Sequence, residues 1–411
     1  MTDTPDVVIV GGGIAGSALG TVLARRGLDA LVLEKQTEYR DRVRGESMLG
    51  WGVAETKRLG LYDVLVDAGG HVTDRVVQYT PWADAATSEA NPIPIGALVK
   101  DVAGSLNLQH RVACEVLAQA ACDAGARVIP GVRSTTVVAG GPPQISFATN
   151  GEEHTSRPRL VIGADGRSSG VRKQVGIRLE KQPAPGFLAG LLVDAPGIPE
   201  DFDFIGVEAP FGVFAFVQGE GRARVYLSPP PGDVQRFAGP DGPEWFIRDM
   251  SLSFFPFRDA LLEARAAGPC ATYPGDDTWT DRPFADGVVL IGDAAGHNNP
   301  LIGQGLSLAM RDVRSINEIL SDEGSWTPSG FEEYGRARNE RMRRVRFAAN
   351  YLALLVWDFT EEGERRRRAF ARAAREDLSY VLPVLVNYTG PDDASPDIYD
   401  AAVMDKLAAL R

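Results

Sequence analysis

The sequence predicts an α/β protein: a doubly wound, mostly parallel sheet, an inserted antiparallel sheet and a helical C-terminal region. Three observations predict it. An apolar run, Val7 to Val10, passes directly into a glycine turn and then into a helical stretch. Two more apolar runs, Leu160 to Gly163 and Val288 to Ile291, are each followed closely by glycine and aspartate. Between them, short β-branched and aromatic runs alternate with polar turns, the pattern of antiparallel strands. The chain has 411 residues, 44% hydrophobic and 24% charged, enough for two or three domains with an ordinary buried core.

The first unit is the most explicit. Val7-Val8-Ile9-Val10 reads as a strand buried on both faces. Gly11-Gly12-Gly13-Ile14-Ala15-Gly16 carries the G-x-G-x-x-G spacing, Ser17 to Arg26 reads as a helix, and Gly27 stops it. A second strand, Ala30 to Leu33, ends at Glu34 and Lys35. Gly11 permits the tight turn, Gly13 lets backbone approach a pyrophosphate, and Gly16 allows close packing of helix and strand. The helix N-terminus at Ile14 and Ala15 offers free N–H groups to phosphates. Glu34 stands where a carboxylate accepts ribose hydroxyls, which disfavours a 2′-phosphate there.

Three later segments narrow the ligand. Leu160 to Ser169 is a strand running into Gly163-Ala164-Asp165-Gly166. Val288 to Ala295 is another, ending in Gly292-Asp293, followed by Asn299-Pro300, Gly303-Gln304-Gly305 and a helix from Leu306 to about Leu320. Arg44-Gly45-Glu46-Ser47 precedes a helix from Val53 to Leu59. In this order the motifs resemble the FAD-dependent monooxygenases of the para-hydroxybenzoate hydroxylase type. The resemblance spans about three quarters of the chain.

That resemblance implies a Rossmann-like, GR2-type FAD-binding domain and assigns roles. Asp293 would hold the ribityl and pyrophosphate side of FAD. Pro300, Gly303 and Gly305 would shape the loop beside the flavin, and the N–H groups opening the helix at Leu306 would face its pyrimidine carbonyl. Arg44 would lie over the pyrophosphate; alternatively it is a surface charge like Arg40 and Arg42. Asp165 would bridge the FAD and pyridine-nucleotide regions or hold its own turn. Gln109 or Arg111 would reach back to the FAD phosphates, a choice left open, with Arg111 also readable as a helix-face charge. The sequence departs from the family at Gly296, where many members carry histidine, and at Ser307, where they carry asparagine. Gly45-Glu46-Ser47 instead resembles flavin-dependent halogenases.

The implied organisation is a discontinuous FAD-binding domain (1–75, 100–178 and 278–330), a substrate-binding sheet domain (76–99 and 179–277) and a C-terminal helical region (331–411). Strands are expected at Phe187 to Val193, Phe202 to Val207, Gly212 to Val217 and Ala223 to Leu227. Phe202, Phe204, Phe211, Phe214, Phe216 and Tyr226 would then furnish an apolar pocket. The basic runs at Arg336 to Arg346 and Arg365 to Arg368 read as solvated helix faces paired to nearby glutamates. A net charge of −12 argues against a nucleic-acid partner. Cys114, Cys122 and Cys270 are expected as free thiols, the first two buried. No signal peptide and no membrane span is read, so a cytoplasmic location is expected.

No Ser-His-Asp order, H-E-x-x-H or C-x-x-C occurs, and four histidines lack ligand spacing, so no metal is expected. The resemblance therefore places the chemistry in the cofactor: NAD(P)H reduces the flavin, O2 adds to give a C4a-hydroperoxide, and its distal hydroxyl passes to an apolar, aromatic or polycyclic small molecule. The catalytic residue is unassigned; His71, His110, Tyr79 and Glu208 are candidates for a base. The rivals are a halogenase, which a separate flavin reductase would supply and which the absence of W-x-W-x-I-P weighs against, a reductase or dehydrogenase of a lipid-like substrate, and a binding protein with a vestigial FAD.

Overall fold

The computed structural model describes residues 4–43 and 45–411. Its helices used below are α1 (Ile14–Arg25), α2 (Gly50–Arg58), α3 (His110–Asp123), α4 (Gly305–Ile319), α5 (Glu332–Val356), α6 (Glu361–Glu376) and α7 (Leu382–Thr389). A six-stranded sheet runs in the order Phe284–Ala285, Val288–Leu290, Leu160–Gly163, Val7–Val10, Ala30–Leu33, Arg127–Ile129. All its pairings are parallel except that of the edge strand Phe284–Ala285. Continuous apolar runs suit this sheet because both of its faces are covered. Val7 and Ile9 join the core under α1, α3 and α4, whereas Val8 and Val10 join Val132, Phe147 and Val171 on the opposite face. That split is the two-residue alternation of a strand.

The second sheet has seven strands. Phe187–Asp194 pairs with Arg222–Ser228, which pairs with Phe211–Gly219, then Asp203–Glu208, all antiparallel. Strand Val76–Tyr79 closes one edge, parallel to Asp203–Glu208, so the 76–99 excursion contributes to this sheet. Ala189, Leu191, Val213, Ala215, Val225 and Leu227 point to one face, under Phe237, Phe246, Met250 and Phe255. The opposite face carries Phe214, Phe216 and Tyr226 towards the large cavity described below. At the junction with a small three-stranded sheet (Ser47–Met48, Ser105–Asn107 and His71–Thr73), Asp203 is buried with no cation of the described residues in hydrogen-bonding reach. Its carboxylate accepts from Thr73 Oγ1 (2.9 Å), Asn107 Nδ2 (2.8 Å) and Val217 N (2.9 Å), and burial pushes its pKa up to about 7.

Several expectations are corrected. Phe202, Phe204 and Phe211 are not cavity residues: Phe204 is fully buried against Phe255 and Phe257, Arg75 lies over Phe202, and Phe211 packs near Phe237. Strand alternation turned them away. The helix expected at Val53 begins at Gly50. Cys122 is exposed, although all three cysteines are free. The basic face is only partly solvated. Arg336 and Arg343 pair with Glu333 and Glu340, but Arg338 and Arg341 are 1% and 2% exposed. Among the described residues no helix is long and apolar enough to cross a membrane.

Candidate functional site

One cavity of about 1890 Å³ runs from the glycine turn, across the end of the parallel sheet, to the aromatic face of the second sheet. Single-ligand pockets are typically ~300–1,000 Å³, so this one has room for a dinucleotide and a second molecule. At its first end, Gly11 has φ +106°, and a Cβ there would lie 2.5 Å from Ala164 O. A Cβ on Gly16 would meet Gly11 O at 1.9 Å. Both positions require glycine because backbone, which cannot swing aside, occupies the space. Gly13 is the opposite case. It borders the cavity, and a Cβ there would meet nothing within 4 Å. Next to it α1 begins at Ile14 without a side-chain cap, so its leading N–H groups are left for a ligand.

Glu34 and Lys35 line the same end. Glu34 is nearly buried, and its carboxylate accepts from Gly12 N (2.7 Å) and Gln36 N (2.8 Å). The carboxylate therefore ties the end of the second strand to the glycine turn. Tyr39 donates to Gly12 O at 2.5 Å, and burial together with Glu34 raises its phenol well above the usual range, so it remains protonated.

In the middle, Asp165 accepts from Ser169 Oγ (2.5 Å), Gly170 N (2.6 Å) and Val171 N (3.2 Å). It caps the short helix after the strand, the turn-holding alternative, while also bordering the cavity. Asp293 lies opposite, with Arg167 Nε 3.2 Å from its Oδ2. Arg338, which the sequence reading left on a solvated face, clamps the Asp293 loop from beneath. Its guanidinium donates to Ala295 O (2.9 Å), Gly292 O (3.0 Å), Gly296 O (3.0 Å) and Asp312 Oδ2 (2.9 Å). Asp312 accepts Gly292 N as well, at 2.9 Å.

Pro300, Gly303, Gly305 and Leu306 all border the cavity, Gly303 at φ +62°. α4 starts there without a side-chain cap, a second helix N-terminus facing the same space. Gln304 is locked by Trp51 Nε1 (2.8 Å) and by its own bonds to Ile302 O (2.7 Å) and Asn387 O (3.1 Å). Ser307 is fully buried against Gly52, where a Cβ would lie 2.2 Å from its Oγ, so α2 and α4 are in near backbone contact. Neither Gln109 nor Arg111 borders the cavity. Gln109 precedes α3, and Arg111 pairs with Glu115 at 3.3 Å on its exposed face; His110 is the α3 residue on the cavity wall. Arg44 falls outside the described residues. Its neighbour Glu46, fully buried, pairs with buried Arg224 at 2.8 Å and accepts from Gln218 Nε2 at 2.6 Å, pinning this segment to the second sheet.

The far half is apolar. Leu188, Ile205, Phe214, Phe216 and Tyr226 form one wall, and Leu352, Val356, Phe370 and Val384 of the C-terminal helices form the other. Of the four candidate bases, His110 and Tyr79 reach the cavity. Tyr79 donates to Glu89 Oε1 at 2.8 Å, and its phenol is held protonated by burial. His71 bonds Glu200 O, and Glu208 accepts from Ser253 N and Oγ, both away from the cavity. His297 is buried behind the Asp293 loop, 2.8 Å from Thr278 Oγ1, and its pKa is lowered, first by burial and then by Arg167. No three-residue cluster suited to a metal occurs among the described residues.

Two uncapped helix N-termini, an open glycine cradle and an adjoining apolar chamber thus define a dinucleotide-binding protein with space for a second, apolar molecule. Residues 4–348 match the model of the FAD binding domain family, and the chain belongs to that family. It is 25% identical to squalene epoxidase 3 of Arabidopsis thaliana, over 77% of this chain and 60% of that protein. It is 29% identical to digeranylgeranylglycerophospholipid reductase 2 of Methanococcoides burtonii, over 78% and 76% respectively. The chain thus spans about three fifths of the length of the squalene epoxidase it matches. A similar fold is seen in p-nitrophenol 4-monooxygenase PnpA from Pseudomonas putida (TM-score 0.74, 18% identity, 100% of both chains). It is seen as well in the flavin-dependent halogenase CmlS (TM-score 0.73, 18% identity, 99% of this chain and 77% of that one).

Proposed function

We propose that this protein is an FAD-dependent monooxygenase that uses NAD(P)H and O2 to hydroxylate or epoxidise an apolar small molecule. The observation that carries the reading is the continuity of the cavity: the cradle at Gly13 and the N-terminus of α4 open into the same space as the Phe214, Phe216 and Tyr226 wall. Bound FAD would supply electron transfer and oxygen activation, chemistry that the side chains here lack. Gly13, Ile14, Ala15 and Asp293 would hold it, with Glu34 at its adenosine end and Pro300, Gly303, Gly305 and Leu306 at the other. The positive end of α4 stabilises negative charge placed beside it. The apolar walls exclude water and orient the substrate. Tyr226 is fully enclosed, and burial raises its pKa far above neutrality, so it acts only as a neutral phenol.

The test is incorporation of labelled dioxygen by the purified yellow protein, supplied with NAD(P)H and candidate apolar substrates. Label in the product is expected. A second reading, reduction of a lipid-like alkene, draws on the similarity to the archaeal reductase; an unlabelled, hydrogenated product would establish it and overturn ours. A brominated or chlorinated product, formed when a separate flavin reductase and halide are present, would do the same for halogenation.

A further inference from the structure

We infer that the outer end of the apolar chamber is an anion site, so that the substrate is an amphiphile with an apolar body and a carboxylate or phosphate end. This rests on the proposed function in taking that chamber as the substrate site. Helix α6 lines the cavity with two kinds of side chain. Phe370 packs in the cluster with Val207, Phe214 and Val384, the apolar half. Arg367, Arg368, Arg372 and Arg375 of the same helix border the cavity as well.

These arginines are not equivalent. Arg367 is 8% exposed; it donates to Leu355 O (3.2 Å) and Asp358 O (2.6 Å), and its Nε is buried with no hydrogen-bond partner. Arg367 is thus committed to the backbone that precedes α6, and it fixes the start of the arginine row. Arg368 pairs with Glu364 at 2.7 Å and sits over the Trp82 ring at 5.2 Å, fixing the facing wall against α6. Arg372 and Arg375 make no ion pair among the described residues. Spacings of four and three place Arg368, Arg372 and Arg375 along one side of the helix, where like charges repel unless an anion lies between them. The acid in the facing wall, Asp84, is engaged in accepting from Thr87 N at 2.7 Å. Arg372 and Arg375 thus bring two cations without an ion pair to the cavity rim of a chain of net charge −12.

The experiment uses the flavin-loaded full chain and a matched set of probes: decanoate, decyl phosphate and decanol, with dissociation constants measured by calorimetry. The two anions should bind about tenfold or more tighter than the alcohol. The exposed pair Arg372→Ala/Arg375→Ala should lose that preference while decanol affinity and flavin content stay unchanged. Equal affinity of all three probes for the unaltered protein overturns the inference. So does a double variant that keeps the anion preference but is reduced more slowly by NAD(P)H, since the arginines would then serve the phosphates of the reductant. The readout is binding without turnover, so failure of the labelled-oxygen test leaves it separately decidable.

Discussion

Three buried ionisable residues, Arg338, Asp312 and Asp203, set the sharpest expectations at the scale of single side chains. Arg338 and Asp312 are both fully enclosed, and together they hold the backbone of the Asp293 loop. Arg338→Met leaves Asp312 uncompensated, so unfolding in urea should show a loss of about 3–5 kcal/mol; an unchanged midpoint would remove the clamp. Asp203 gives a pH signature. Its carboxyl is raised to about 7 by burial, so between the ordinary carboxylate value and about pH 7 the folded chain binds the extra proton. Stability from this group is full below the unfolded value, falls by up to about 1.4 kcal/mol per pH unit through that window, and is flat above it. Asp203→Asn, which still accepts at one oxygen and can donate to Thr73, should flatten this component when urea midpoints are compared from pH 4 to 8. Arg338 shows why such residues escape a sequence reading: its partners are carbonyls more than 40 positions away. The available hint was phase, since Tyr334, Arg338, Arg341, Met342 and Val345 share one buried stripe of α5.

Elements were legible where the local pattern alone dictates the structure. The strand, glycine turn and helix from Val7 to Arg25 were legible because the apolar run, the glycine spacing and the helical stretch are contiguous, and Gly16 is forced by Gly11 O within the turn itself; the crowding of Gly11 by Ala164 O was not visible. The facing direction of the middle strands was not legible. Phe204 and Phe214 look alike in sequence, yet pairing register and the cover of Phe237, Phe246 and Phe255 send one to the core and the other to the cavity. The approach of α2 to α4 was equally silent, because it depends on Gly52 meeting Ser307 across 255 positions. Gly52→Ala should cost about 1–3 kcal/mol through overpacking, seen as a lower thermal midpoint. Because α4 opens on the cavity, the same change should reduce flavin retained after gel filtration; full retention with unchanged stability would separate the two helices.

The whole molecule joins two sheets through one cavity, so ligand and fold are thermodynamically linked. Protein stripped of flavin and returned to FAD at a hundred times its dissociation constant should gain about 2.7 kcal/mol, read as a higher melting temperature. No rise would contradict a built site for the dinucleotide. At this scale the glycine and aspartate motifs fall together along one end of the cavity, since they report backbone geometry. They said little about the substrate end, whose walls come from α5, α6 and α7 as well as the second sheet.

The family match stops at residue 348, inside α5, while Leu352, Val356, Phe370 and Val384 beyond it close the apolar chamber. The outer wall of the chamber therefore comes from chain beyond the matched segment. If the chamber takes the substrate as proposed, substitutions in α6 and α7 should change which apolar molecules bind while leaving flavin content unaltered, because those helices border the far half of the cavity and the glycine cradle lies at its other end.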